Sequence, residues 1–180
     1  YSLVIARLEA ENNIHTVIEG FLRAGLDEQL VIVGKVNTRY GRELQAKYEN
    51  HTDIRFVGGI YDMKKLNDLR HHCATYFHGH SVGGTNPSLL EAMASECMIV
   101  AHDNAFNRWV TSDKAFFFDN ADSISKILKN RSQMMDKINE YKQFSLDKIS
   151  MEFNWDRIAG EYEECLRRCV HAQEEEAQIT

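Results

Sequence analysis

An α/β fold built on a parallel sheet is the class this sequence predicts, and the pattern of apolar runs carries the prediction. Short apolar runs alternate with helix-forming segments almost without exception along the 180 residues. The runs are continuous rather than alternating in and out, as expected of strands covered on both faces. Most of them end in glycine or polar residues: Arg7, Gly34-Lys35, Gly58-Gly59, His78 to Asn86, and His102-Asp103. In such sheets ligands collect at the carboxyl ends of the strands, where the strand order reverses.

Tyr1–Ala6 is the first strand and Arg7 to Asn12 a loop. Asn13 is the expected cap of a helix running to about Ala24, in which Ile14, Val17, Ile18, Phe21 and Leu22 recur at helical spacing. Gly25 stops it. Leu30–Val33 is the second strand, Tyr40 to Asn50 the second helix, and Ile54–Val57 the third strand. Asp62 caps a helix that reaches Cys73. Ala74–Phe77 is a short aromatic strand, and a polar, glycine-containing loop follows it. Pro87, the only proline, then opens a helix at the position where its missing N–H costs nothing. Thr85 and Asn86 are both placed to cap that helix. Met98–Ala101, a short helix near Phe106–Val110, and Ala115–Phe118 bring the sheet to about six strands, a Rossmann-like layout with helices on both faces. From Asp122 onward the chain reads as helix in three pieces, with a break near Phe153-Asn154-Trp155. No repeat or linker interrupts this order, so residues 1–180 read as a single domain.

A hydrophobic content of 43% with 27% charged residues is the balance of a globular protein. No apolar run approaches the roughly 20 residues of a membrane span. The net charge of −6 argues against nucleic acid as a partner, because phosphate-backbone binding needs a basic face. Lys126, Lys129 and Arg131 are interrupted by other residues and read as a solvated helix face. Cys73, Cys97, Cys165 and Cys169 are scattered and fit reduced thiols better than a disulfide framework. Cys165 and Cys169 fall with Tyr162, Leu166 and Val170 on what reads as a packing stripe. A chain that opens inside a strand, without methionine, is expected to be a piece of a longer protein.

The candidate site residues follow from chemistry at the strand ends. Gly83-Gly84 removes bulk where a ligand can approach the backbone. Free N–H groups at the start of the Pro87 helix suit an anion such as phosphate. Arg7 can meet a phosphate with two parallel hydrogen bonds, although an ion pair with Glu9 or Glu11 is the plainer use for it. Glu91, about one turn into the helix, suits ribose or sugar hydroxyls; a favourable contact with the helix dipole is its plainer use. A zinc site needs three or four convergent ligands, and His71-His72 and His78-x-His80 do not supply them, so no metal is expected. There is no G-x-G-x-x-G after the first strand and no G-x-x-x-x-G-K-[ST], which disfavours a dinucleotide fold and a P-loop.

Taken together, these motifs resemble the C-terminal, donor-binding domain of glycosyltransferase family 4, the retaining GT-B enzymes. Leu3-Val4-Ile5-Ala6-Arg7-Leu8 resembles the family's strand ending in Gly-Arg-Leu. Leu30–Gly34 and Ile54–Gly58 resemble its second and third strands. Leu89–Ser95 followed by Met98–Ala101 is similar to its most distinctive helix–strand segment, and Phe153–Tyr162 to its closing helix. The resemblance implies half of a GT-B fold, with an N-terminal acceptor domain absent from this chain. By the same resemblance Arg7 holds the diphosphate of a nucleotide sugar and is the catalytic candidate, and Glu91 binds the ribose. Gly84, Thr85 and Asn86 touch the sugar or the distal phosphate, and Gly58, Gly59, Ile60 and Tyr61 line the base. Asn12, Gly34, Lys35, His80 and Gly83 complete the expected substrate-binding set.

Two departures from the family pattern stand out. Asn12 falls where the family carries a lysine, with Lys35 as a substitute, and Gly83 falls where it carries a sugar-contacting glutamate. The Gly-Gly-Thr-Asn-Pro variant resembles bacterial rhamnosyltransferases of capsule and surface-polysaccharide assembly. The implied reaction is metal-independent transfer with retention to a saccharide or lipid-linked acceptor, with the fragment alone inactive. The implied setting is the cytoplasm, or the inner face of a membrane through peripheral association of the parent protein. A non-catalytic nucleotide-sugar-binding module and a nucleotide-sugar epimerase, with His78, His80 or His102 as acid and base, are the alternatives.

Overall fold

The computed structural model of the protein describes residues 1–177, with side-chain environments as far as Cys169. Two compact units divide it, Tyr1–Leu146 and a second beginning at Asp147. In the first, six parallel strands form one sheet: β1 (Ser2–Ile5), β2 (Leu30–Val33), β3 (Ile54–Gly58), β4 (Thr75–His78), β5 (Ile99–His102) and β6 (Phe116–Phe118). Their order is β3-β2-β1-β4-β5-β6, so the winding reverses between β1 and β4. This is the Rossmann-like sheet that the alternation of segments predicts.

Helices α1 (Ile14–Ala24), α2 (Arg39–Tyr48) and α6 (Ala121–Lys129) cover one face of the sheet. Their apolar side chains, among them Ile14, Ile18, Phe21, Leu44 and Ile124, form a single core with Val4, Ile32, Phe77 and Val100. Helices α3 (Met63–His72), α4 (Pro87–Ala94) and α5 (Ala105–Thr111) lie outside that cluster, and α3 packs beside α4. Helix α7 (Met135–Glu152) crosses the boundary between the units, and α8 (Trp155–Ala177) belongs to the second. The break between them falls at Phe153-Asn154, as expected. Among the described residues no helix is long and apolar enough to cross a membrane.

Four local expectations are corrected. Asn13 stands at the N-cap position of α1 but in the left-handed region, with φ 49°, and its side chain caps nothing. Its amide instead donates to the Gly79 carbonyl at 2.8 Å, a tertiary bond that outcompetes the local cap. Strand β3 alternates: Arg55 and Val57 are exposed because β3 lies at the sheet edge and keeps one open face. Arg131 is no solvated charge, since it pairs with Glu28 at 2.7 Å and donates to Thr75 Oγ1 at 3.1 Å. There Glu28 is mostly buried and its carboxyl is held below the ordinary value, burial being outweighed by Arg131 and Ser2. Finally, Tyr162, Leu166, Cys165 and Cys169 are exposed and form no packed stripe within α8. Arg167 pairs there with Glu163 one turn away, so polar residues share that surface. The side chain of Val170 lies outside the described residues.

Gly20 sets how closely α1 and α6 approach. A Cβ there would stand 2.5 Å from Ile124 Cβ and 2.8 Å from the Ala121 carbonyl oxygen. Alanine is the better helix former by about 1 kcal/mol, yet the backbone oxygen cannot step aside. We expect Gly20→Ala to lower unfolding free energy by about 1–3 kcal/mol in denaturant titration.

Candidate functional site

The loop leaving β1, Arg7 to Asn13, lies at the reversal of strand order and is pinned from both sides. On the β2 side Thr38 Oγ1 donates to the Leu8 carbonyl at 2.6 Å and also caps α2 by accepting from Gly41 N. On the β4 side Asn13 reaches Gly79, while the backbone N and the hydroxyl of Ser81 both donate to the Glu11 carbonyl, at 2.9 and 2.8 Å. A Cβ on Gly34 would stand 2.2 Å from the Ala6 carbonyl oxygen, and one on Gly79 would stand 2.0 Å from the Asn12 carbonyl oxygen. Only glycine admits so close an approach at either point. Asn12 is buried and its amide donates to the Arg7 carbonyl at 2.7 Å. It therefore fixes the backbone of Arg7 and supplies no charge.

Two clefts open at this strand end and share Ile5, Ala6 and Arg7 as a common wall. One, of about 440 Å³, is lined further by Gly34, Lys35, Thr38, Gly59, Ile60 and Tyr61. The other, of about 510 Å³, is lined by Glu11, Asn12, Arg70, His80, Asn86, Ser88 and Glu91, with Met63, Leu66 and Val82 as apolar wall. Arg7 and Glu91 thus belong to one site, as do Lys35 and Tyr61, whose ammonium and ring stand 5.0 Å apart. The Arg7 side chain is 77% exposed and meets Glu9 at 3.4 Å. An exposed pair of this kind is worth about 0–1 kcal/mol, so an anion can displace the carboxylate. Gly58, Gly83, Gly84 and Thr85 do not line either cleft.

Asn86, not Thr85, caps α4: its side chain accepts from Ser88 N at 3.0 Å. With Pro87 lacking an N–H and Leu89 N bonded to the Asn86 carbonyl, the helix start offers fewer free donors than its sequence implies. The amides of Gly83, Gly84, Thr85 and Asn86 just before it make no backbone hydrogen bond among the described residues. Gly83 has φ +117°, a conformation in which a side chain is strained. The backbone itself thus selects glycine where the family pattern has glutamate.

Beneath the second cleft lies a polar cluster that sequence reading missed. Arg70, fully buried on α3, pairs with Glu91, and its Nη1 donates to Asn67 Oδ1 at 3.1 Å. Tyr76 on β4, also fully buried, shares a hydrogen bond with Ser88 on α4. Burial pushes the Tyr76 hydroxyl up to about 12. The available signal was Arg70 itself, one turn after Leu66 on the apolar stripe of an amphipathic helix. His78 and His80 stack at the end of β4, with ring centroids 4.4 Å apart and planes 12° apart. The His80 carbonyl is held by Asn104 and Asn107, at 2.9 and 3.1 Å, which ties this loop to the end of β5. Burial lowers both imidazoles, His78 to about 3. Among the described residues neither ring nitrogen of His78 has a hydrogen-bond partner. Among the described residues no three His, Cys, Asp or Glu side chains converge as metal ligands.

A parallel sheet wound in this order, with two clefts at its reversal point and an arginine between them, defines a Rossmann-like ligand-binding domain. The chain belongs to the glycosyl transferases group 1 family, whose model matches residues 1–144. Among solved structures it is similar to sucrose-phosphate synthase from Thermosynechococcus elongatus, at 16% identity and TM-score 0.79 over 95% of this chain and 46% of that one. It is also similar to Anabaena HepE in complex with UDP-glucose, at 15% identity and TM-score 0.81 over 93% of this chain and 49% of that one. The C-terminal domain of LpcC, a glycosyl transferase group 1 family protein from Francisella tularensis, matches at 17% identity and TM-score 0.68 over 86% of this chain and 87% of that domain. The chain spans about half the length of the two longer relatives. No curated protein matches it.

The buried His78 makes the fold acid-sensitive. Above about pH 6.5 both the folded and the unfolded chain carry it neutral; below that only the unfolded chain takes up the proton. Stability therefore falls as pH drops from 6.5 toward about 3. The His78 contribution to the slope approaches about 1.4 kcal/mol per pH unit. Denaturant titrations between pH 7 and 4 should show this limb flattened by about that amount in His78→Phe.

Proposed function

We propose that this chain is the donor-binding domain of a retaining family 4 glycosyltransferase. The observation that carries the proposal is Arg7, which stands on the wall shared by two clefts, one holding Glu91 and the other Gly34, Lys35 and Tyr61. A nucleoside diphosphate sugar has the matching parts. The base runs along Gly59 to Tyr61, the ribose hydroxyls reach the Glu91 carboxylate, and the diphosphate faces Arg7 with Lys35 beside it. The sugar lies toward Gly83, Gly84, Thr85, Asn86 and His80. That some structural relatives were solved with UDP or UDP-glucose supports the donor class.

As the glycosidic bond to the leaving phosphate breaks, positive charge grows on the sugar and negative charge on the phosphate. Donors already aimed at the growing negative charge lower the barrier. The Arg7 guanidinium, on the wall of both clefts, is such a donor. The leaving phosphate itself takes the acceptor proton, which is why no side chain is assigned as the base. The acceptor, a saccharide or lipid-linked sugar of a surface polysaccharide, is held by an N-terminal domain across the cleft, and a rhamnosyl donor fits the Gly-Gly-Thr-Asn-Pro loop. Residues 1–180 thus bind donor and do not transfer it alone. The parent protein works in the cytoplasm or peripherally at the inner face of a membrane.

A second reading is favoured by Asn12 and Gly83: a binding module of the same fold that has lost transfer. Its Asn12 amide is engaged by the Arg7 carbonyl and leaves one phosphate charge unmatched. Joining this chain to an acceptor domain and assaying donor turnover separates the two readings.

The direct test is a thermal-shift panel of UDP, dTDP and GDP sugars, since a ligand that binds the folded chain raises its melting temperature. One nucleotide class should raise it. Arg7→Ala should weaken that ligand at least about tenfold, the scale of a lost charge-assisted phosphate contact. An Arg7→Ala chain that keeps full affinity removes the assignment.

A further inference from the structure

We infer that Arg70 is a positioning residue for the ribose of the bound nucleotide, acting by holding the Glu91 carboxylate in its binding geometry. The inference rests on the reading of Glu91 as the ribose ligand and goes beyond it by naming what fixes that ligand in place.

Arg70 is 1% exposed and Glu91 36%, so the pair joins a buried cation to a carboxylate on the cleft wall. A buried guanidinium without an anion is costly, and a neighbouring carboxylate will stay with it. Arg70 Nη2 donates to Glu91 Oε2, while Glu91 Oε1 makes no hydrogen bond in the described structure. Arg70 is held at both ends, its guanidinium by Glu91 and Asn67 and its backbone carbonyl by two thiols. Asn67 accepts from Nη1, and the Arg70 carbonyl accepts from the thiols of Cys73 and Cys97 at 3.1 and 3.2 Å. Packing of α3 against α4 brings the two elements together.

A glutamate on a helix loses rotamer freedom when it binds a ligand, and that loss weakens the complex. Here the loss falls on folding, because Arg70 has already chosen the rotamer. Arg70 stands behind the cleft wall with a side chain only 1% exposed, so it offers the nucleotide almost no surface and acts by deciding where Oε1 waits for the hydroxyls. Removing one partner of a fully buried ion pair is strongly destabilising, but the carboxylate that Arg70→Met leaves behind is 36% exposed and can be hydrated, so the variant is usable.

The experiment is equilibrium titration of the chain with UDP and with 2′,3′-dideoxyuridine diphosphate, which differ only in the ribose hydroxyls. The unsubstituted chain should prefer UDP by roughly tenfold or more, the scale of a hydrogen bond to a charged group. Arg70→Met should bring that preference to within about threefold while leaving the dideoxy ligand nearly unchanged, and Arg70→Lys should lie between. Glu91→Gln should lose the preference to a similar degree, and adding Arg70→Met to it should cost little more, because the two residues act as one unit. The inference is overturned if Arg70→Met keeps the preference, if it weakens both ligands equally, or if the two substitutions act independently. Should Arg70→Met fail to fold, the comparison of Arg70→Lys with Glu91→Gln decides on the same ratio. An unsubstituted chain that binds UDP without regard to its hydroxyls removes the ribose role of Glu91 and the inference with it. One that binds no nucleotide removes the reading of the site as a whole.

Discussion

The structure depends on how tightly the loop after β1 is held at the point where the sheet changes direction. Carbonyl oxygens of Ala6 and Asn12 lie against Gly34 and Gly79 so closely that a methyl group on either glycine has no room. Thr38, Asn13 and Ser81 close the remaining degrees of freedom with hydrogen bonds from the neighbouring elements. A flexible arginine on a flexible loop would bind an anion weakly, because both would have to be ordered. With the backbone of Arg7 anchored, only its side chain has to leave Glu9.

The same logic extends below the second cleft. Helices α3 and α4 meet the sheet through apolar residues, yet at their junction the chain buries Arg70 and Tyr76 and bonds them to the half-buried Glu91 and Ser88. Buried polar groups are tolerated only when they are satisfied. Most of these are, and the unpartnered Arg70 Nε is an exception that an apolar packing solution would have avoided. The cluster holds the Glu91 carboxylate at the cleft wall, which is what its proposed contact with a ribose requires. The His78–His80 stack lies at the same cleft, through His80, and burial lowers both imidazoles toward the neutral form.

Much of the fold and part of the site were legible in the order of residues. Short continuous apolar runs such as Leu30–Val33, ended by glycine, pointed to strands covered on both faces, and helical spacing in Ile14, Val17, Ile18 and Phe21 announces the face that α1 buries. Pro87 marked the start of α4, and the placement of Arg7 at a strand end and Glu91 near a helix start anticipated that both line one cleft. Those features are local, set by periodicity of 2 or 3.6 residues and by the special backbone of proline and glycine.

Tertiary structure decided everything that depends on residues far apart in the chain. Asn13 and Thr85 had the local chemistry of caps, but Asn13 is drawn to Gly79, 66 positions away, and Asn86 takes the helix. Arg131 read as solvated until the sheet placed Glu28, 103 residues distant, beside it. Asn12 read as a poor substitute for a lysine, whereas the fold turns its amide onto the Arg7 carbonyl. Arg70 was silent for the same reason: its meaning lies in Glu91, which only the packing of two helices brings within reach. A sequence by itself determines which segments are strand or helix and which faces they hide, because those choices are made by neighbours along the chain. Which polar group meets which is settled only when the sheet is assembled, since each such pairing is the outcome of competition among partners that no local spacing encodes.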